Sequence, residues 1–166
     1  MKKWLAASSG ALIAVLGLLI SPGATASAAN ERPHGMANVA TGKCLEVADW
    51  STANGASIRQ WDCTGGANQK WYVEGQNILK NAHSGKCAEV ADWSTANGAA
   101  VRQWDCHGGA NQRWVGRDGG SLFVLYYTNQ HSGLQLEIGG GNAANGVQAT
   151  QWPMNWGSNQ RWGAYF

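Results

Sequence analysis

Residues 42–55 read GKCLEVADWSTANG and residues 85–98 read GKCAEVADWSTANG, so one stretch occurs twice with a single substitution. The repetition continues through RQWDC and GGANQ, and each copy ends at a tryptophan, Trp71 or Trp114. A more divergent third copy contains LEIGGGNAANG, TQW and SNQRW, and it ends at Trp162. The copies are offset by 43 and then 48 residues. Three units of about 40 residues predict a repeat fold in which the units share one core.

The first 29 residues have the features of an export signal rather than of a folded segment. Lys2 and Lys3 precede a short apolar run at 11–20, and small residues at 24–29 offer cleavage sites after Ala28 or Ala29. The run is too short for a stable membrane span. We therefore expect a secreted, extracellular protein without membrane insertion, and a single domain over residues 30–166.

Composition narrows the classes of partner. Without Lys2 and Lys3 the chain has ten basic and ten acidic side chains and no basic block, which argues against binding to nucleic acid. Nine of the ten tryptophans lie in the expected mature chain, beside only two phenylalanines. Indole suits both packing and stacking on ligands. No cofactor is expected.

The four cysteines allow three pairings. Each of the first two copies holds two cysteines 19 residues apart, which favours Cys44–Cys63 and Cys87–Cys106 because both bridges are then the same local bridge. An exported chain makes oxidation expected. A zinc site is disfavoured, because no C-x-x-C occurs and His83 and His107 lack partners at metal-binding spacing.

The units read as β-structure. Short runs such as CLEV, SIRQW, KWYV and LQLEI are separated by Gly, Asn, Asp and Ser turns, and stretches with a helical period are almost absent. Four strands a copy predict an all-β fold of about twelve strands. Upstream of Met36–Val39 the chain lacks an apolar strand, so we expect a short first strand with 162–166 beside it.

The phased motifs resemble the ricin-type lectins with QxW repeats, also called family-13 carbohydrate-binding modules, and specifically their secreted bacterial type. The motifs are GKCLEVA…RQWDC…GGANQKW, GKCAEVA…RQWDC…GGANQRW and LQLEI…TQW…SNQRW, and they cover about 33–166. The resemblance implies a β-trefoil, a six-stranded barrel capped by three hairpins. Its repeats would span about 33–75, 76–119 and 120–166.

The family builds each sugar pocket from an acid, a polar residue and an aromatic on the next strand, and an Asn-Gln pair. The residues carried over are Glu46, Arg59, Trp61, Asn68 and Gln69 in repeat one; Glu89, Arg102, Trp104, Asn111 and Gln112 in repeat two; and Glu137, Thr150, Trp152, Asn159 and Gln160 in repeat three. An aromatic plane covers the C–H face of a pyranose, and a carboxylate accepts strong hydrogen bonds from adjacent hydroxyls.

Two departures from the family affect these pockets. All three acids are Glu, where the family usually has Asp, and Arg59 and Arg102 replace a usual Gln. Each Arg could hold the Glu or reach the sugar, and Asp49 and Asp92 offer it a second partner. Repeat three has Gly140 and Thr150 instead, so its pocket is expected to be the weakest.

Three tryptophans have one expected role, and the other aromatic and amide residues have two possible interpretations each. Trp71, Trp114 and Trp162 are expected in the core. Gln60, Gln103 and Gln151 alternate inward, either to form hydrogen bonds across the core or because the strand phase differs there. Trp50 and Trp93 either edge the pocket or pin its loop.

The sequence therefore predicts a monomeric, non-catalytic, multivalent, hemagglutinin-like lectin without a metal. Its candidate ligands are galactose-type or L-rhamnose-type glycans, since both sugars carry an axial–equatorial cis-diol. The alternatives are a xylan- or arabinan-targeting module that assists a separate hydrolase, and a protein-binding trefoil. A glycosidase is disfavoured, because symmetry-related carboxylates should lie farther apart than the ~10 Å such enzymes use.

Overall fold

The computed structural model describes residues 32–166, so the expected export signal lies outside the described residues. The chain forms twelve strands and, within 32–166, no α-helix. The strands are β1 (His34–Asn38), β2 (Cys44–Val47), β3 (Ile58–Trp61), β4 (Lys70–Glu74), β5 (Ile78–Asn81), β6 (Cys87–Val90), β7 (Val101–Trp104), β8 (Trp114–Ser121), β9 (Val124–Asn129), β10 (Gln135–Ile138), β11 (Ala149–Trp152) and β12 (Arg161–Tyr165). Single 3-10 turns occupy Ala48–Trp50, Ala67–Gln69, Ala91–Trp93, Ala110–Gln112, Gly139–Gly141 and Ser158–Gln160.

Six strands close into a barrel. Antiparallel pairing runs from β1 to β4, from β4 to β5, from β8 to β9, from β9 to β12 and from β12 back to β1. A bridge between Ile78 and Arg113 joins β5 to the start of β8 and completes the ring. The remaining strands form three hairpins, β2–β3, β6–β7 and β10–β11. The all-β expectation is confirmed, and the architecture is a β-trefoil.

The end of the chain closes the barrel where expected. Gly35 pairs with Tyr165 and Asn38 with Trp162 along β1 and β12. The expectation of a short first strand is wrong: β1 has five residues and β5 has four, and β1 pairs with both β12 and β4. The larger second offset arises in the β8–β9 hairpin, whose register contains an irregularity between Asp118 and Ser121.

The core is built three times from the same parts. Trp71, Trp114 and Trp162 are fully buried, and each indole N–H donates to a carbonyl of its own repeat, at 3.0–3.1 Å. The aliphatic residues of the cap hairpins pack around them; they are Leu45, Val47, Ile58, Ala88, Val90, Val101, Leu136, Ile138 and Ala149. The expectation that these three tryptophans are core residues is confirmed.

Both expected disulfides are present. Cys44 joins Cys63 and Cys87 joins Cys106, each with a Cα–Cα distance of 5.1 Å. Each bridge links a cap hairpin to the loop that follows it. Repeat three has Gln135 and Met154 at these positions, so packing and hydrogen bonds alone hold its loop.

Candidate functional site

The cap hairpins bring the acid and the aromatic residue of each repeat onto one face. In the β2–β3 register Glu46 lies opposite Arg59, and Cys44 lies opposite Trp61. Because side chains two residues apart share a face of a strand, Glu46, Arg59 and Trp61 converge. The same register recurs in β6–β7 and β10–β11.

The Asn-Gln pair comes from the 3-10 turn that follows each hairpin. In repeat one Asn68 Nδ2 and Gln69 Nε2 donate to Glu46 Oε2 at 3.4 and 3.0 Å. Both amides also donate to backbone carbonyls, those of Val47 and Asp62. The amides therefore hold the carboxylate from beneath. Repeats two and three repeat this support on Glu89 and Glu137 with distances of 3.1–3.3 Å.

An arginine fills the pocket of repeat one. Arg59 Nε donates to Glu46 Oε1 at 3.0 Å, and its Nη2 donates to Asp49 Oδ1 at 2.9 Å. The guanidinium carbon lies over the Trp61 ring, 4.5 Å from its centroid. Burial lowers the pKa of Arg59, but the hydrogen bonds and charges of Glu46 and Asp49 outweigh it and raise the pKa above its ordinary value. We call this arrangement the arginine latch.

Repeat two has the same latch. Arg102 binds Glu89 at 3.0 Å and Asp92 at 2.9 Å, and it covers Trp104 at 4.5 Å. In both repeats the protein's own cation therefore covers the indole on which a pyranose was expected to stack. The cleft around Glu46 and Trp61 is small, about 200 Å³.

Repeat three has no latch. Thr150 replaces the arginine opposite Glu137, and no cation lies over Trp152 among the described residues. Trp152 is 42% exposed, and the cleft beside it measures about 530 Å³. Glu137 Oε2 accepts from Asn159 and Gln160, whereas Oε1 accepts no hydrogen bond from residues 32–166. Without the arginine, the indole ring of Trp152 is uncovered and one oxygen of Glu137 has no partner among the described residues.

Burial also changes the acidity of this carboxylate. Desolvation raises the pKa of Glu137 above its usual value, although the amides of Gln160 and Asn159 act in the opposite direction. No other charged side chain lines the cleft within the described part of the chain. The pocket therefore offers one carboxylate with a free oxygen next to one exposed indole.

Sequence reasoning missed a second aromatic pair in the latched repeats. Trp50 packs edge-to-face on His83 of repeat two, with ring centroids 5.0 Å apart, and His83 Nε2 lies 3.0 Å from the Trp50 carbonyl oxygen. Trp93 and His131 form the same contact at 5.1 Å. The open readings for Trp50 and Trp93 thus resolve toward pinning of the loop, and Trp50 also lines the pocket.

In repeat three both members of this pair are absent. Gly141 stands at the tryptophan position and Ala40 at the histidine position, and a β-carbon added to Gly141 would lie 3.8 Å from the Ala40 Cβ. The joint loss was visible in the sequence as GGG against ADW, once Ala40 is aligned with His83 and His131. It widens the cleft beside Trp152.

Two consecutive residues of each latched repeat have a left-handed backbone conformation. Asp49 and Trp50 have φ of 52° and 54°, and Asp92 and Trp93 have 53° and 54°, in the left-handed region that L side chains rarely adopt. Repeat three meets the same backbone requirement with glycines at 140 and 141. Repeats one and two therefore carry an Asp and a Trp at positions where glycine would adopt the same backbone conformation with less strain.

One further pocket residue differs between the latched repeats. His107 of repeat two stacks on Trp93 and its Nε2 lies 3.3 Å from Glu89 Oε2. Repeat one has Thr64 at this position, whose backbone N–H donates to Gln69. His107 is exposed, and its contact with the acid has no signal in the sequence motifs.

Two findings bear on metal and membrane. Among residues 32–166 no group of three or more His, Cys, Asp or Glu side chains is arranged to hold a metal ion. Within the same part of the chain, no helix has the length and apolarity to cross a bilayer.

Comparison with known proteins agrees with the fold. The designed threefold-symmetric protein ThreeFoil superposes with a TM-score of 0.77 at 33% identity, over 81% of this chain and 98% of that one. The exo-β-1,3-galactanase 1,3Gal43A of Clostridium thermocellum matches with a TM-score of 0.77 at 30% identity, over 83% of this chain and 31% of the enzyme.

A sequence relative matches only in part. Serine protease 1 of Rarobacter faecitabidus is 46% identical over 37 residues, which are 22% of this chain and 7% of the relative. The model of the ricin-type β-trefoil lectin domain matches residues 34–162, most of the described chain. Because this match covers well over half of the chain, the chain belongs to the ricin-type β-trefoil lectin family.

Proposed function

We propose that this protein is a secreted lectin for galactose-type or L-rhamnose-type glycans. We also propose that the pocket of repeat three has the highest affinity for the sugar. The observation that carries the proposal is the pairing of a free Glu137 Oε1 with the uncovered ring of Trp152. A carboxylate oxygen accepts strong hydrogen bonds from sugar hydroxyls. The indole offers an apolar plane for the C–H face of the same ring.

Multivalent, hemagglutinin-like binding would need more than one open pocket. Pockets one and two contain the acid, the aromatic and the amides, but a sugar must displace Arg59 or Arg102 from two carboxylates and an indole. We therefore assign these pockets a lower affinity than that of repeat three. The protein would act chiefly through one site per chain, as a monomer.

The test is calorimetric titration with methyl galactoside and L-rhamnose. We expect about one site per chain in the wild type, and Glu137→Gln should weaken binding at least tenfold, about 1.4 kcal/mol. The matched controls Glu46→Gln and Glu89→Gln change the same residue type in the latched pockets and should leave that site intact. Undiminished binding in Glu137→Gln would assign recognition to another pocket.

A second role is favoured by one comparison. A domain like this one forms 31% of an exo-β-1,3-galactanase, so we also consider a module that targets a polysaccharide for a separate hydrolase. The affinity for insoluble β-1,3-galactan, measured by depletion from solution and expressed per sugar unit, should then be much higher than the affinity for methyl galactoside. Equal affinity per sugar unit would exclude this role.

A further inference from the structure

A cavity of about 390 Å³ opens at the end of the barrel where β1 and β5 begin and where β4 and β12 end. The cap hairpins that carry the sugar pockets attach at the opposite ends of these strands. His34 and Val73 mark the near end of the barrel, whereas Asn38 leads toward the β2–β3 hairpin. The cavity is therefore distinct from all three candidate sugar pockets.

The cavity exists because the lowest inward layer of the barrel is underfilled. Side chains alternate along strands, so the inward residues below the core layer lie two positions from its buried members. They are His34, Asn77 and Leu125, two residues before Met36, Leu79 and Tyr127, and Val73, Gly116 and Ala164, two residues after the core tryptophans. Only Leu125 and Val73 of these six are sizeable and apolar. All six line the cavity.

The cavity has an apolar interior and an aromatic lip. Met36 and Trp162, both 1% exposed, form part of its lining. Phe123 and Phe166 stand at the mouth with their rings edge-to-face, 6.5 Å apart, and both are exposed to solvent. Phe123 has φ of 64° at the tip of the β8–β9 hairpin, and Asn77 has φ of 65° at the tip of the β4–β5 hairpin. One of these left-handed hairpin tips thus carries a large apolar side chain and the other a polar one.

The cavity has few polar side chains. The side chains of His34 and Asn77 form no hydrogen bond with any residue between 32 and 166, and both face the cavity. No Asp, Glu, Lys or Arg lines it. A charged ligand would lose its hydration without gaining a counter-ion there. A neutral ligand with one hydrogen-bonding group would satisfy an amide or an imidazole at the rim.

We propose that this cavity binds a small neutral compound with a flat apolar body and one hydroxyl group, in the class of phenols and aryl alcohols. An apolar cavity of about 150 Å³ accommodates benzene, and cavities of roughly 300–1,000 Å³ are typical of small-molecule sites. A volume of about 390 Å³ therefore suits a one- or two-ring molecule. The ring lies between Met36, Leu125 and Trp162, and the hydroxyl meets Asn77 or His34.

The experiment titrates the purified protein with 2-naphthol and follows probe fluorescence and calorimetry. The wild type should bind one probe molecule per chain. Ala164→Leu fills the cavity and should weaken probe binding at least tenfold while it raises the thermal unfolding midpoint. The anionic analogue 2-naphthalenesulfonate should bind at least tenfold more weakly than 2-naphthol. Sugar binding at repeat three should be unchanged in Ala164→Leu. This result separates the cavity proposal from the proposed lectin function.

Two smaller changes guard against a folding defect in Ala164→Leu. Gly116→Ala places a methyl group 3.2 Å from Leu125 Cδ1, and this flexible side chain can yield. Asn77→Gly keeps the left-handed backbone, φ 65°, and removes only the amide. Both should weaken 2-naphthol binding severalfold. Absence of probe binding in the wild type, or equal binding in the wild type and all three variants, overturns the proposal.

Discussion

Arg59 and Arg102 fill the volume that Thr150 leaves open at the matching position of repeat three. The three acids have the same support from Asn and Gln, so the difference between the pockets lies in the residue opposite the acid. A guanidinium can bind two carboxylates and lie on an indole at once. Threonine can do neither, and the acid then keeps an oxygen for a ligand.

The first prediction exchanges that residue. Arg59→Thr should open pocket one, because it uncovers Trp61 and frees Glu46 Oε1. Calorimetric stoichiometry for the sugar should rise from about one site to about two per chain. The matched control, Arg117→Thr, removes an exposed arginine of β8 that is not part of the candidate sugar pockets and should leave the count unchanged. A count that stays at one in Arg59→Thr would show that the latch does not limit binding.

A second prediction concerns pH and Glu137. Burial raises the pKa of this carboxyl, and only the ionised form accepts hydrogen bonds at both oxygens. Sugar affinity should therefore fall on acidification, with a midpoint above 4.5, the ordinary value for Glu. Titrations between pH 4 and pH 8 measure it, with Glu137→Gln as the weak and pH-independent control.

Protonation of Glu137 should not unfold the protein, so unfolding through Glu137 would not explain a loss of sugar affinity at low pH. A raised pKa in the folded state means that protonation favours the fold, so the contribution of Glu137 to stability is full at low pH and declines as pH rises through the folded pKa. A midpoint below 4.5, or a fall that parallels loss of secondary structure, would contradict the assignment.

The sequence predicted the members of each pocket better than their states. The hairpin register and the repeated acid, aromatic and amide positions follow from alternation and from the family pattern, and the pairing of Arg59 with Glu46 and Asp49 was foreseen as one alternative. Coverage of Trp61 by the guanidinium was not. It depends on a rotamer chosen by two ion pairs and a ring together, and no local sequence rule fixes such a choice.

At the scale of strands and loops, three buried glutamines join the repeats. Gln103 Nε2 donates to the carbonyls of Ser51 and Ala53 in the loop of repeat one, and its Oε1 accepts from Ser84 Oγ. Gln60 and Gln151 make the equivalent bonds to the loops of repeats three and two. The inward phase expected for these residues is confirmed, and the hydrogen bonds cross the seams between repeats.

The third prediction tests this seam. Gln103→Leu removes the hydrogen-bond partner of two loop carbonyls and of the Ser84 hydroxyl. Each group that stays buried and unpaired lowers the free energy of unfolding by about 1–3 kcal/mol. We expect the free energy of unfolding in urea to fall by about 2–4 kcal/mol. Amide exchange should accelerate in residues 51–55.

An exposed contact of the same seam is the control. Asn54 and Asp105 bind each other at 2.7 and 3.0 Å on the surface, and Asn54→Ala should cost less than about 1 kcal/mol because water replaces such bonds. A cost for Gln103→Leu no larger than that of Asn54→Ala would show that the loop carbonyls find other partners.

Over the whole molecule, the three repeats differ at a few positions that change the contacts between them. Ser57, Ala100 and Gln148 occupy equivalent positions in the three repeats. Gln148 Nε2 donates to the carbonyls of Ile58 and Val101, and its Oε1 accepts from Ser57 Oγ. The repeats predicted both disulfides, and the family resemblance predicted the β-trefoil. The open end of the barrel was not predicted, because the sequence shows which small residues face inward but not whether loops and termini cover them.

The count of open pockets sets what the whole molecule can do to a glycan surface. A single shallow site with a millimolar Kd corresponds to about −4 kcal/mol, which is weak for capture from dilute solution. Two sites on one chain can span neighbouring glycans, and avidity then adds roughly 10²–10⁴-fold without a new contact. Under the proposed function, Arg59 and Arg102 block two pockets and leave the wild type with one open site.

The last prediction is therefore that the wild type binds galactose- or rhamnose-coated beads but clumps them poorly. The double variant Arg59→Thr/Arg102→Thr should clump them at least tenfold more efficiently, and free sugar should reverse the clumping. Adding Trp152→Ala to the double variant removes the wild-type site yet leaves two opened ones, so clumping should persist. Strong clumping by the wild type, abolished by Glu46→Gln/Glu89→Gln, would mean that sugars displace the arginines readily and that all three repeats bind without engineering.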